Sequence, residues 1–353
     1  MRETGTRRPA TRRLVALLAT AGLIAGSVAA TATPVAAAGG IEGVPALNHV
    51  FVIIGENTQL SQLNKNNSPY TLGTLAPASA WLTNYWATTH YSESNYVAMM
   101  SGQFTDCQQK DGKAASCHQD VDNLFHQLYS VGRTFTTWSE SMPDACHLLN
   151  TGGDPTLNHY AAKHNPQVFF DNVEGDAVSA VGAGGWLDNG STQGGAFCRA
   201  TNIATGSAGP NDMSGFNAAL ASNASTISDF NLVVPNECED AHSNCKPAGN
   251  PILQFDNFLA REVPLIGAYI AAHGGTLIVT YDEGVTSSPV RAVKFGDGGN
   301  VAFLAWGPQV RAGTIIGTEY THYSLLRTLE DGLGVGGYVG SAAAVTPITE
   351  IWK

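Results

Sequence analysis

The chain has 353 residues, 43% hydrophobic and 13% charged, which is enough apolar material for a large core and too evenly mixed for a disordered segment. Its formal net charge of -11 understates the acidity, because residues 1–38 hold five Arg and one Glu and leave 13 basic against 28 acidic residues, net -15, in the remainder. Such a surface argues against nucleic-acid binding and against a polybasic membrane surface, and no heptad, collagen triplet or 20–50-residue period is present.

Along the chain, Arg7, Arg8, Arg12 and Arg13 precede an apolar run from Leu14 to Ala30, and small residues follow up to Ala36-Ala37-Ala38. That is the pattern of a cleaved secretory signal over residues 1–38. Gly22, Gly26 and Ser27 interrupt the run and argue against a membrane anchor. No later stretch reaches the roughly 20 apolar residues of a membrane span, so the rest, 39–353, is expected as one exported domain. Its six cysteines, Cys107, Cys117, Cys146, Cys198, Cys238 and Cys245, then read as up to three disulfides. Pairing of sequence neighbours is the expectation, and no Cys-x-x-Cys spacing supports zinc.

Apolar, β-branched-rich runs predict buried strands at His49–Ile54, Thr134–Trp138, Asn231–Val234, Thr276–Tyr281 and Val301–Trp306. They are nearly continuous rather than alternating, as in strands covered on both faces. Helical spacing predicts helices over Asp122–Val131, Phe255–His273 (stopped by Gly274-Gly275) and Tyr323–Leu333. Strands alternating with helices indicate an α/β fold, a three-layer sandwich with a mostly parallel sheet. Residues 182–217, rich in Gly, Ser, Ala and Asn, read as a long excursion from that sheet.

In open parallel sheets, sites form beyond the carboxyl ends of the strands. Here four ends are followed by Glu56-Asn57, by Asn236 with Asp240 and His242, by Asp282-Glu283, and by a loop leading to His322. Each residue alone is an ordinary turn or cap residue. Together, carboxylates converging on one edge repel unless a cation neutralises them, and carboxylate, amide and imidazole suit a hard or borderline divalent metal. Ser92 opens a helix-compatible run that Gly102 can end. A helix N-terminus favours an anion such as phosphate, and a Ser there beside a metal can act as nucleophile. The Gly-x-Ser-x-Gly elbow is absent, which disfavours an α/β-hydrolase esterase.

The order Glu56-Asn57, His90-x-Ser92-x-x-Asn95-Tyr96, Pro235-Asn236…Asp240-x-His242, Tyr281-Asp282-Glu283, His322-Tyr323-Ser324-Leu325-Leu326 resembles the bacterial phosphoesterase family. That family comprises secreted acid phosphatases and phospholipases C within the alkaline-phosphatase-like superfamily. The resemblance runs from about residue 46 to the tail Thr346-Pro347-Ile348-Thr349-Glu350-Ile351-Trp352. It implies an alkaline-phosphatase-like fold and hydrolysis of phosphate monoesters through a phosphoserine at Ser92. It also implies a divalent cation held by Glu56, Asn57, Asp282, Glu283 and Asp240, and Asn95 as a phosphate ligand. His90, His242 and His322 are placed at the phosphate or leaving group. Substrates implied are small phosphorylated compounds or a phosphoinositide, phosphatidylinositol 3-phosphate among them. A phosphodiesterase of phospholipase C type is the alternative, and a catalytically silent metal-binding protein the second. Two departures stand out. Tyr91 and Ser94 replace the prolines of His-Pro-Ser-x-Pro-Asn-Tyr, which implies a looser loop and a second candidate hydroxyl. Gly55 stands where relatives carry a larger side chain, which implies a more open metal site.

Overall fold

The computed structural model describes residue 1 and residues 40–353, apart from 104–109, 152–158, 188–189, 209–210, 223–225 and 286–296. The expected signal at 1–38 therefore lies, Met1 aside, outside the described residues, as does Cys107.

The five apolar runs become β1 (Val50–Gly55), β3 (Phe135–Ser139), β5 (Phe230–Val234), β6 (Thr276–Tyr281) and β7 (Asn300–Trp306). Every residue of β1, β3, β5 and β6 is buried, which is why their sequences do not alternate. Four further strands had no such run to announce them: β2 (Ala80–Trp86), β4 (Asn202–Ala204), β8 (Thr314–Ile316) and β9 (Tyr320–Thr321). The sheet order is β4-β3-β5-β1-β6-β7-β2-β8, with β9 also paired to β2. All neighbours are parallel except β7, which runs antiparallel to both β6 and β2. The chain has the α/β architecture expected, three-layered with a mostly parallel sheet.

Two expectations change. Residues 182–217 are not a loop throughout: a helix at Ala196–Thr201 leads into β4, which extends the sheet beside β3. The disulfide Cys146–Cys198 ties this segment back to the loop after β3. Second, because β7 is antiparallel, its end at Trp306 pairs with Leu277 near the start of β6, on the edge opposite the expected site. His322 is delivered by β9, which ends at Thr321 and is parallel to β2. Thr321 then stands at the N-cap of the helix His322–Leu333, its backbone N–H donating to Ser324 Oγ at 3.3 Å. The loop that leads to His322 therefore follows β9 and not Val301–Trp306.

The ten-residue helix Ser92–Ser101 is buried along its whole length, so it shows no apolar stripe. It packs on His322–Leu333. Gly102 ends it at φ 66°, and a Cβ there would come 2.3 Å from the Val339 carbonyl oxygen, so no other residue fits. The long helix Pro251–His273 starts at Asn250, whose side chain accepts from Leu253 N–H, and packs on β6 and on Ser214–Ser222. Large strand residues such as Phe51, Ile53 and Val279 are at most 1% exposed, each contributing roughly 1.5–3 kcal/mol. That apolar centre offsets the polar cluster built at the strand ends. Cys238–Cys245 is the second disulfide, and Cys117 is disulfide-bonded as well. Among the described residues no helix is long and apolar enough to cross a membrane.

Candidate active site

β1 feeds directly into the site. Gly55 does not open it, contrary to expectation: the rings of Phe255 and Tyr281 close over this position, and a Cβ would lie 2.7 Å from both. Glu56 follows, fully buried, its backbone N–H donating to the Asp240 carbonyl at 2.6 Å. That bond stitches the ends of β1 and β5 together. Asn57, at φ 45°, donates its backbone N–H to Asp282 Oδ1 at 3.0 Å and so ties in β6.

The Ser92 hydroxyl donates to Glu56 Oε2 at 2.7 Å. It is Ser92, and not Ser94, that reaches this carboxylate. Tyr91, just before it, has φ 74° and ψ 122° and caps the helix with no side-chain bond. Asn95 holds that turn. Its Oδ1 accepts Thr88 and Thr89 N–H, both at 3.1 Å, and its Nδ2 donates to the carbonyls of Thr89 and Tyr91. Asn95 is fully buried, with both side-chain atoms committed to backbone. It therefore shapes the loop that presents Ser92 and does not take the expected place on phosphate. The two missing prolines leave a pinned turn, not a loose one.

Three carboxylates meet at Ser92, and each is satisfied on one oxygen only. Glu56 Oε2 accepts Ser92 Oγ–H and Asn57 Nδ2–H. Asp282 Oδ1 accepts the backbone N–H of Asn57 and, at 2.5 Å, of Glu283. Asp240 Oδ1 accepts His242 N–H at 2.8 Å. Their other oxygens, Glu56 Oε1, Asp282 Oδ2 and Asp240 Oδ2, are buried without a hydrogen bond among the described residues. His164 lies among them, with Nε2 3.3 Å from Glu56 Oε1 and Nδ1 3.1 Å from Asp240 Oδ2, neither contact having hydrogen-bond geometry. Its ring stacks on Tyr96 at 5.4 Å.

Burial pushes the Glu56 carboxyl well above the usual range, with the charges of Asp282 and Asp240 adding to it. Burial likewise raises Asp240, helped by Glu237 and Asp282, and pushes Asp282 up to about 6. It holds His164 well below the usual imidazole range, as a neutral ring. Unsatisfied carboxylate oxygens and a neutral imidazole nitrogen, with the Glu56, His164 and Asp240 donor atoms within 4.8 Å of one another, form a fitting donor set for a divalent cation. Of the expected ligands, Glu56, Asp240 and Asp282 come together. Asn57 spends its Nδ2 on Glu56, and Glu283 pairs with His90 Nδ1 at 2.5 Å. Burial first, then the charge of Asp282, pushes Glu283 up to about 9.

The histidines separate. His322 is fully buried, with Nδ1 2.9 Å from Tyr85 OH and Nε2 2.6 Å from the Asp282 carbonyl. Burial pushes it down to about 4. Both nitrogens are committed, so it positions the β6 end and is unsuited to the expected proton transfer. His90 uses Nδ1 on Glu283 and keeps a buried Nε2 without a hydrogen bond among the described residues. His242 Nδ1 lies 3.1 Å from the Ser243 hydroxyl, and burial lowers its pKa.

Two residues were missed. His164 comes from a short 3-10 turn, Ala162–His164, far from any strand end, and its only signal is a Lys-His-Asn-Pro run. Its neighbour Lys163, paired with Asp111 at 3.0 Å, is a cation whose field partly opposes the burial that raises Glu56, Asp240 and Glu283.

No family model matches the chain. It is 27% identical over 354 residues to the phosphatidylinositol-3-phosphatase of Mycobacterium tuberculosis, covering 98% of this chain and 96% of that protein. It is 27% identical over 314 residues to the phosphate-repressible acid phosphatase of Penicillium chrysogenum, covering 87% of this chain and 63% of that protein. A 35% identical stretch of 148 residues matches a probable acid phosphatase of Kluyveromyces lactis, 41% of this chain but only 34% of that one. Among solved structures, a protein in the alkaline phosphatase superfamily from Vibrio parahaemolyticus superposes with a TM-score of 0.51 at 10% identity, covering 84% of this chain and 68% of that chain. A protein from a glycosaminoglycan-metabolism locus of Bacteroides thetaiotaomicron does so with 0.51 at 13%, covering 83% and 78%. The chain thus has the alkaline-phosphatase-like fold, and the family resemblance carried by its motifs is the one these relatives bear out.

Proposed function

We propose that the chain is an exported phosphatase that hydrolyses phosphate monoesters through Ser92, residues 1–38 being its removed signal and 39–353 a single catalytic domain. One observation carries this. A serine hydroxyl at a buried helix N-terminus donates to a carboxylate whose other oxygen, like one oxygen of each of two neighbouring carboxylates, lacks a partner among the described residues. The names of the relatives support the same chemistry, and the disulfides fit an oxidising compartment.

Glu56 Oε2 takes the Ser92 proton as Oγ attacks phosphorus in line. The bond to the leaving oxygen breaks, and that oxygen takes a proton from His90 Nε2, which Glu283 orients through Nδ1. Water then attacks the phosphoserine and gives its proton to His90. Phosphate leaves and Ser92 regains its proton from Glu56. Asp240, Asp282, Glu56 and His164 would hold the cation, which supplies stabilisation of charge on the phosphoryl oxygens and eases ionisation of Ser92.

The test is phosphate release from p-nitrophenyl phosphate by the mature protein and by Ser92→Ala, with bis-p-nitrophenyl phosphate in parallel. Wild type should turn over the monoester and Ser92→Ala should lose about 10^3-fold or more. Turnover of the diester alone would replace this reading with a phosphodiesterase, and silence on both would leave a binding protein.

A further inference from the structure

One basic side chain at the site has no part in the chemistry above. Lys163 precedes His164, and its ammonium lies 3.0 Å from Asp111 Oδ2, with the Lys163 side chain only 13% exposed. The other oxygen of that carboxylate, Oδ1, accepts the backbone N–H of Glu93 at 3.2 Å. Glu93 follows Ser92, so the ammonium stands one carboxylate away from the helix start that presents the nucleophile. A second route closes the ring: His164 Nε2 is 3.3 Å from Glu56 Oε1, and Glu56 Oε2 accepts from Ser92. The loop carrying Asp111 has its own anchors, since Gly112 N–H donates to Glu93 Oε2 and Cys117 is disulfide-bonded. Burial opposes the charge on Lys163, but Asp111 and Glu56 outweigh it and raise its pKa, so it stays a cation. Beyond burial and Asp282, Glu283 responds to both members of the pair, Asp111 raising it and Lys163 lowering it. Glu283 orients His90, so the pair acts on the carboxylate behind the leaving-group acid.

We infer, resting on the monoesterase reading above, that Lys163 binds the negative charge of the phosphoryl group and that Asp111 holds it in place for that task. An ammonium has three N–H donors. One goes to Asp111, and among the described residues no hydrogen bond takes the other two. A phosphoryl oxygen can therefore be bound with Asp111 still in position. The charge balance demands such a group. Glu56, Asp240 and Asp282 meet at Ser92, and one divalent cation would leave them short of neutral when ionised. A monoester brings up to two further negative charges, and a mostly buried ammonium offsets these better than one in water. Lysine is also concentrated at this edge: Lys110, Lys113 and Lys163 are three of the seven in the sequence. Lys110 acts on Glu93, and Lys113 shares with Gly112 and Ala162 the lining of an open cavity of about 200 Å³. Together they draw an anion towards a site that an acidic surface otherwise repels it from.

The experiment measures kcat and KM for p-nitrophenyl phosphate and the competitive Ki of inorganic phosphate in wild type, Lys163→Met, Lys163→Arg and Asp111→Asn. In Lys163→Met, KM and Ki should rise together about tenfold or more, the worth of one hydrogen bond to a charged group, while kcat falls less. Lys163→Arg keeps the charge and should recover most of that loss. Asp111→Asn removes the competing charge and should lower Ki about threefold, the scale of a partly exposed ion pair. It also decides the matter should Lys163→Met unfold. An unchanged Ki in Lys163→Met, or a fall in kcat alone, would reduce Lys163 to a support for His164 and overturn the assignment. A Ki that does not fall in Asp111→Asn would overturn it too. If wild type turns over only bis-p-nitrophenyl phosphate, the monoesterase reading fails, and the same Ki values read on that diester still decide the role of Lys163. Silence on both esters would remove the two together.

Discussion

Glu239 and Asp240 are adjacent in sequence, both are buried, and their surroundings are opposite. Glu239 is bracketed by Arg261, with Nη1 to Oε1 at 3.0 Å and Nη2 to Oε2 at 2.5 Å, while Arg261 Nε reaches Glu262 Oε1 at 2.6 Å. Every oxygen of Glu239 faces a permanent cation. Asp240 faces Glu56 and Asp282 instead, and its Oδ2 has no hydrogen bond among the described residues. A fold that can place a guanidinium against one acid has withheld it from the next. The first cluster is built around a permanent cation shared by two acids and is structural. The second carries an unmet demand for positive charge, which is what a cation and a phosphoryl group would supply.

The sharpest break in that contrast is a pair of neutralising variants. Asp240→Asn should lower phosphatase turnover about 10^2-fold or more and yet make the metal-free protein more resistant to urea, because one of three crowded carboxylates is removed. Arg261→Ala should do the reverse, costing about 1–2 kcal/mol by leaving Glu239 and Glu262 uncompensated. That figure is discounted because the Arg261 side chain is 39% exposed. Stability changes of the same sign in both would dissolve the distinction. Next comes the cation itself. A divalent ion at 100 times its Kd should add about 2.7 kcal/mol to unfolding stability, chelator should reverse this, and Asp240→Asn should blunt the response while Arg261→Ala keeps it.

The pH dependence follows from the same crowding. Asp282 is pushed up to about 6 and Glu283 to about 9, burial being the main cause for both. A carboxyl raised above its unfolded value of roughly 4 contributes stability that is complete below that value and is lost as pH rises through the folded one. Metal-stripped protein should therefore weaken progressively from pH 5 to 9 in chemical denaturation, with Asp282→Asn removing the lower part of the slope. A stability that climbs over this range would contradict the picture.

What the sequence revealed follows the same physics. β1, β5 and β6 were legible because both faces are covered and their runs are unbroken, and the acids just after them were legible for that reason. β2 was not: Ala80–Trp86 alternates buried and partly exposed residues and contains Thr83 and Asn84. β8 and β9 span three and two residues, too short to carry a pattern. His322 was expected after the wrong strand, since nothing in Val301–Trp306 marks it as antiparallel. His164 was invisible because tertiary structure, not a strand end, carries it to Glu56. Asn95 was placed on phosphate by the family resemblance, and the fold instead spends its amide on four backbone groups.

The smallest effect tests the two helix starts against each other. Asn250 begins its helix at φ -147° with a side-chain cap, an unstrained arrangement. Tyr91 begins the Ser92 helix at φ 74° with no side-chain cap, a conformation that costs a bulky residue about 1–3 kcal/mol. Asn95 imposes it, since its N–H and Nδ2 both donate to the Tyr91 carbonyl, and the Tyr91 side chain, in a residue 46% exposed, recovers little by packing. Tyr91→Gly removes the strain and adds roughly 0.5–1 kcal/mol of unfolded-chain entropy, so the net expectation is a gain of about 1 kcal/mol in urea unfolding. Asn250→Gly, where no strain is relieved, should instead lose a few tenths of a kcal/mol. A loss at Tyr91 as large as or larger than at Asn250 would mean that the ring holds the turn, and that the unusual backbone before Ser92 is packed into place and not stored as strain.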